Sequence, residues 1–164
     1  MEYNKVETEN HIVSRTYFCC IKDFNRIILE EDDSLSVLPT VFTDIKVIDL
    51  DCVEIEKARR EHRNRNRTMD STFAISDSSS LEMLLVEFRF NYTNLANLNR
   101  LILLEKVTGS ESILGNSVRI HRYYIFIFKP HLVQQAINRL QRMNPRIPNN
   151  YIAMDLNQFL LMYF

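Results

Sequence analysis

The 164 residues carry 20 lysines and arginines against 21 aspartates and glutamates, with 46% hydrophobic and 25% charged side chains, the balance of one ordinary folded domain with a full core. That composition excludes a disordered chain, and nothing approaches the run of about eighteen apolar residues that a membrane span needs. Only two glycines occur, Gly109 and Gly115, which excludes the glycine-rich phosphate loops of Walker and Rossmann sites.

The first forty residues read ambiguously: 12–21 and 27–29 are apolar and partly β-branched, strand and short helix both being open, and an acidic break follows at Glu30, Glu31, Asp32 and Asp33. The first thirty residues, Met1 to Glu30, lack the basic, apolar and small-residue order of a secretory signal, so a cytoplasmic location is expected. The three cysteines are Cys19, Cys20 and Cys52, an adjacent pair and a distant third with no C-x-x-C spacing, and a reducing compartment fits them. His11, His62, His121 and His131 are too scattered for a zinc set.

Over 41–63 the apolar spacing allows a helix, although Asp49 and Asp51 fit it poorly and 45–53 could equally form a strand. An acidic stretch there (Asp49, Asp51, Glu54, Glu56) runs into a basic one: Lys57, Arg59, Arg60, Arg63, Arg65 and Arg67. Closely set cations release counterions when they meet phosphates, so Arg59, Arg60, Arg63, Arg65 and Arg67 are the candidate nucleic-acid contacts. The competing reading is a solvated helix end whose positive charges complement the helix dipole.

Beyond residue 70 the pattern sharpens. A short strand over 71–76, a turn at 77–80 and a longer strand over 81–92 predict an antiparallel hairpin. A helix over 95–107 should stop at Gly109, and Gly115-Asn116 turns the chain into a strand over 118–129. The continuous apolar run 123–128 in that strand predicts burial on both faces. Pro130 opens a helix with one apolar stripe, Leu132, Val133, Ala136, Ile137, Leu140 and Met143, which Pro145 ends. Asp155 and Gln158 have capping-box spacing before the apolar end Phe159, Leu160, Leu161, Met162, Tyr163 and Phe164, which must dock on this domain or on a partner. The order strand, strand, helix, strand, helix predicts a single α/β domain, 1–164, with a central mixed β-sheet flanked by helices.

Within 84–92, alternation places Leu84, Val86, Phe88, Phe90 and Tyr92 on one face and Leu85, Glu87, Arg89 and Asn91 on the other. Glu87 and Arg89 therefore project side by side. A carboxylate offers Mg²⁺ a hard oxygen ligand, and a cation two residues on can steady an attacking water or a phosphate. Asp77, at the end of the preceding strand, is the expected second carboxylate, with Asp70 as fallback and Glu54 or Glu56 as a helix contribution. On a solvated face the same Glu87–Arg89 pair would be an ordinary ion pair worth about 0–1 kcal/mol.

Asp77, then Glu87-Phe88-Arg89 on the next strand, then helix, strand and helix, resembles the restriction-endonuclease-like, or PD-(D/E)xK, nuclease superfamily over roughly residues 50–143. The resemblance implies metal binding at Asp77, Glu87 and Glu56, a catalytic set of Asp77, Glu87 and Arg89, Mg²⁺ as cofactor and nucleic acid as partner. Two positions depart from the pattern: Ser76 stands where a proline would precede the aspartate, and Arg89 replaces the lysine. Arginine holds a phosphate but cannot give up a proton as a tuned lysine can, which leaves hydrolysis open. The alternative is a protein-interaction module, such as an inhibitor, immunity or regulatory protein, or a homo-oligomer subunit, docking through the apolar C-terminus and the acidic patch 30–33.

Overall fold

The computed structural model describes residues 1–31 and 44–164. Asp32 and Asp33 of the acidic patch lie outside the described residues. In chain order the elements are β1 (Glu2–Tyr3), α1 (Lys5–Asn10), α2 (Ile12–Thr16), a 3-10 turn (Phe18–Cys20), β2 (Ile21–Asp23), α3 (Phe24–Glu31), β3 (Lys46–Asp49), α4 (Leu50–Glu61), β4 (Ser71–Ser76), β5 (Leu81–Arg89), α5 (Arg100–Leu114), β6 (Arg119–Phe128), a second 3-10 turn (Pro130–Leu132), α6 (Val133–Gln141), β7 (Tyr151–Met154) and α7 (Leu156–Tyr163).

Six strands lie in the order β2-β3-β4-β5-β6-β7, and β1 adds to β4 to complete a seven-stranded sheet. β2 through β5 are antiparallel neighbours, whereas β5, β6 and β7 run parallel and are joined through α5 and α6. Parallel pairing demands such crossovers, and covering them makes both faces of β6 apolar. Phe126 and Phe128 pack beneath α4, α5 and α6 on one face; Ile125 and Ile127 join Phe24, Ile28, Phe159 and Tyr163 of α3 and α7 on the other. The architecture is thus α/β, with a mixed sheet between two helical layers.

Local chemistry sets the boundaries. Asp49 ends β3 and caps α4, its carboxylate accepting from Cys52 N at 2.8 Å, which is why it fits neither a strand interior nor a helix interior. Asn99 caps α5 by accepting from Leu101 N and Ile102 N. α5 therefore begins five residues later than the periodicity predicts and continues through Gly109 instead of stopping there. Gly109 serves closeness: a Cβ at this position would stand 2.0 Å from the carbonyl oxygen of Arg67. The capping box of Asp155 and Gln158 is formed, and the apolar end it introduces covers this chain's own sheet, with Phe159 and Tyr163 buried and Phe164 stacked on Tyr3.

The cysteines differ from expectation. Cys20 is bridged to Cys52, and Cys19 is free and exposed. No spacing rule announces this bridge, because it closes a 32-residue separation by packing the first 3-10 turn against the first turn of α4. Among the described residues, no helix is long and apolar enough to cross a membrane.

Candidate functional site

The hairpin β4–β5 fixes which carboxylates meet. Ser71 pairs with Val86 and Ser76 with Leu81, so one step beyond the ladder Asp70 faces Glu87. Asp77 lies at the other end, about 20 Å of strand away at ~3.3 Å per residue. It is an exposed turn residue whose carboxylate accepts from the backbone N–H and hydroxyl groups of Ser79 and Ser80, which hold its pKa down at about 2. The structure therefore separates Asp77 from Glu87 and brings Asp70 to it: Asp70 Oδ2 accepts from Phe88 N at 2.6 Å.

Glu87 does not face water, and Arg89 is half-buried. Glu87 is 1% exposed and Asp70 6%, both on the sheet face that carries Leu85 and lies under α5. Such burial is tolerable only with partners. Lys106, from α5, supplies them: its Nζ stands 2.8 Å from Glu87 Oε1, 2.9 Å from Oε2 and 3.4 Å from Asp70 Oδ1. Arg89 Nη2 lies 3.1 Å from Glu87 Oε1, while Nη1 donates to Tyr92 Oη at 3.4 Å. Arg89 Nε is buried with no hydrogen-bond acceptor among the described residues, and Nη2, though close to Glu87, is not aligned for a hydrogen bond.

The environment acts on protonation in a consistent direction. Burial, then the neighbouring Asp70, pushes Glu87 well above the usual carboxylate range; burial likewise raises Asp70 against the pull of Lys106. Burial alone would depress Lys106, but Glu87 and Asp70 outweigh it and hold the ammonium above its ordinary value. Two carboxyls and two cations thus share one sheltered volume.

α5 is held in place by contacts at the same level. Ser110 Oγ accepts from Met69 N at 2.8 Å and donates to the carbonyl of Lys106 at 2.8 Å. With Gly109 closed against Arg67, this fixes Lys106 over the residue next to Met69, which is Asp70. The signal for Lys106 was present in the sequence: it belongs to the stripe of Leu103, Val107 and Ser110, all buried, where a lysine is out of place.

A cleft of about 320 Å³ opens on Asp70 between α3 and α4, walled also by Glu30, Glu31, Asp49, Asp51 and Glu56, with Lys22 the single cation among the described residues. Lys22 is engaged, 2.7 Å from Asp49 and 2.9 Å from Glu30. Asp51 Oδ1 accepts from the hydroxyl of Thr68. Burial and the charge of Asp70 raise Glu31 to about 7. Glu56 lines this cleft, with Arg59 2.6 Å away; Glu54 instead points to Arg63. Among the described residues, the one group of three or more Cys, His, Asp or Glu ligand atoms within 4.8 Å of one another is Cys19, Cys20 and Cys52, and two of these are bridged to each other.

The five candidate nucleic-acid arginines are mostly occupied. Arg59 pairs with Glu56, Arg63 with Glu54 and Glu61 (2.6 Å each), and Arg67 with Glu105 at 3.2 Å; Arg60 lies 4.8 Å over the Tyr17 ring. Arg65 is exposed. His62 ends α4 in the left-handed conformation (φ 51°) and turns Arg63 back over the helix onto Glu54. A different set is unneutralised. Two adjoining hollows of about 710 and 730 Å³, sharing Ala96, Arg139 and Arg142, run between the 91–99 loop and α6. Arg100, Arg139, Arg142 and the nearby Arg146 bear no ion pair among the described residues, and asparagines rather than acids surround them.

No family model, curated protein or solved structure matches this chain.

Proposed function

We propose that the protein is a divalent-metal-dependent phosphodiesterase acting on nucleic acid, centred on Asp70, Glu87, Lys106 and Arg89. The observation that carries this reading is the convergence of two buried carboxyls, an ammonium and a guanidinium at the same end of two neighbouring strands, beside an acidic cleft. Such a costly arrangement is retained where a site needs it.

The donor set suits Mg²⁺. Asp70 and Glu87 are hard oxygen donors whose raised pKa values reflect the cost of carrying negative charge there, and a compact cation relieves that cost. Glu31, Asp51 and Glu56 add negative potential at the mouth of the cleft. When bound there, the ion would polarise a phosphoryl oxygen and lower the pKa of a coordinated water. Lys106, whose ammonium the two carboxylates hold above its ordinary value, would hold charge or orient water there. Arg89, with its buried Nε lacking an acceptor, presents donors in a rigid fork that matches a phosphate.

Support for the nuclease resemblance lies in the spacing Asp70 to Glu87-Phe88-Arg89 on adjacent antiparallel strands, followed by α5, β6 and α6. The cation that the motif position gives as Arg89 is joined by Lys106 from the following helix. Strand approach is assigned to Arg100, Arg139, Arg142 and Arg146: the loop bearing Asn94 to Asn99 leaves β5 just beyond Arg89, and Arg100 precedes Lys106 on α5 by about 9 Å at ~1.5 Å per residue.

Mn²⁺ should raise the melting temperature of the wild type and leave Glu87→Gln unchanged, by mass action on the folded state. In Mg²⁺ the wild type should cleave a fluorescent oligonucleotide that Lys106→Met leaves intact. An equal Mn²⁺ response in both proteins, or cleavage independent of Lys106, overturns the reading.

A further inference from the structure

The phosphodiesterase reading leaves the three sulfur atoms unused. Cys20 is completely buried and its bridge partner Cys52 is half-buried, whereas Cys19, the next residue, is exposed with a free thiol. The Cys19 and Cys20 sulfurs are 4.0 Å apart, and all three sulfurs lie within 4.8 Å of one another. A thiol this close to a disulfide competes with any external thiol at very high effective concentration.

We propose that Cys19 is an exchange thiol that moves the bridge by one residue, from Cys20–Cys52 to Cys19–Cys52, and so shifts its buried half to the exposed position. The Cys19 thiolate attacks Cys52 Sγ; the Cys19–Cys52 bond forms as the Cys20–Cys52 bond breaks, the electron pair leaves on Cys20, and Cys20 takes up the proton that Cys19 gave up. This step involves no net oxidation or reduction. A dithiol from solution then attacks Cys19 Sγ, releasing Cys52 as a thiol, and its second sulfur attacks the mixed disulfide and frees Cys19. The protein disulfide gains two electrons and two protons, and the dithiol becomes a disulfide.

The consequence reaches the acidic cleft. Cys52 lines that cleft and sits in the first turn of α4 beside Asp51, where its backbone N–H is capped by Asp49. The bridge fastens this turn to the segment Phe18–Cys20, so opening it frees one wall of the cleft from a covalent tie. The substrate of the exchange is a dithiol, small or protein-borne; the exposed Phe18, adjacent to Cys19, offers such a reductant an apolar contact.

Two variants of the full chain test this. Bridge opening by dithiothreitol, followed by iodoacetamide quenching and peptide mass analysis, should be roughly ten-fold slower or more in Cys19→Ser than in the wild type, since the relay is lost and the reductant must attack the Cys20–Cys52 bond directly. In Cys20→Ser, glutathione disulfide should drive formation of a Cys19–Cys52 bridge, leaving no free thiol. Equal opening rates in wild type and Cys19→Ser, or two persistent free thiols in oxidised Cys20→Ser, would overturn the proposal. Neither readout depends on metal binding or nuclease activity, so failure here and failure of the phosphodiesterase reading are distinguishable.

Discussion

Arg63 and Arg142 are the same side chain in opposite circumstances. Arg63 is turned back by a left-handed residue onto a buried glutamate and also reaches Glu61; Arg142 stands on an exposed helix end among asparagines. Sequence density favoured the first region, where arginines crowd between 59 and 67, yet there Arg59, Arg63 and Arg67 spend their charge on carboxylates of the same domain. Arg100, Arg139, Arg142 and Arg146 are dispersed in sequence and gathered by α5, α6 and the loops beside them. A cation committed to a buried carboxylate of its own fold supports stability, and one left without a counter-charge is available to an external anion. Replacing a buried committed cation should cost folding energy, replacing an exposed committed one should cost little of either, and replacing an uncommitted one should cost binding.

Lys106 is the extreme committed cation, and Lys106→Met is the change expected to have the largest effect. It leaves Glu87 and Asp70 buried with Arg89 as their remaining close cation, a loss of about 3–5 kcal/mol in urea unfolding near neutral pH. The deficit should shrink towards pH 5, because both carboxyls have raised folded pKa values and protonation removes the uncompensated charge. A variant as stable as wild type at pH 7.5 would remove Lys106 from the committed class. Gly109→Ala comes next. The added methyl meets the Arg67 carbonyl, so α5 must move away from the loop before Asp70, and about 1–3 kcal/mol of overpacking should exceed the helix-propensity gain of about 1 kcal/mol. If Lys106 is positioned by that contact, Gly109→Ala should also weaken the Mn²⁺ stabilisation, which a remote packing defect would leave alone.

How much of this was legible depends on the range of the interaction. β4, the turn at 77–80 and the two faces of β5 follow from alternation and turn chemistry, which are local. The identity of the partner carboxylate was also within reach: a tight turn closing at Ser76 and Leu81 fixes the residue across from Glu87 as Asp70, and an aspartate ending a strand beside a turn of serines is more simply the acceptor for that turn. Lys106 stood in an apolar stripe. The bridge between Cys20 and Cys52, the return of Arg63 to Glu54 and the close approach at Gly109 are tertiary juxtapositions with no local pattern, and a glycine inside a helix reads locally as a stop. The short strands β1 and β7 escaped for the same reason: their few residues are strands only because β4 and β6 offer them an edge.

Glu31 extends the comparison to negative charge. It has no ion pair among the described residues, and burial with Asp70 nearby raises it from 4.5 to about 7. A carboxyl raised on folding contributes stability that is complete below its unfolded pKa and is lost as the pH climbs through its folded one. Between about pH 4.5 and 7 the wild type should therefore lose stability that Glu31→Gln retains, seen as melting curves that diverge with rising pH. Parallel curves would show that the charge of Glu31 is already compensated. Over the same interval Mg²⁺ should bind more tightly as pH rises, since a cation in the cleft competes with the proton on Glu31.

The smallest effect on stability belongs to the uncommitted arginines, and it is the sharpest test of the division. Arg139→Ala with Arg142→Ala removes two exposed guanidiniums that bear no ion pair among the described residues, so unfolding should change by less than about 0.5 kcal/mol. If they meet phosphates, the slope of log affinity against log salt for a single-stranded oligonucleotide should fall by about 1.4, at ~0.7 for each lost contact. The matched control, Arg59→Ala with Arg67→Ala, removes two guanidiniums that already face Glu56 and Glu105. Those pairs are surface exposed and contribute little to folding, so both double variants should be nearly as stable as the wild type, and only the salt slope separates them. A slope that falls equally in both would mean that counter-ions within the domain do not withhold an arginine from phosphate. A slope that falls only for Arg59 and Arg67 would return the interface to the dense basic run.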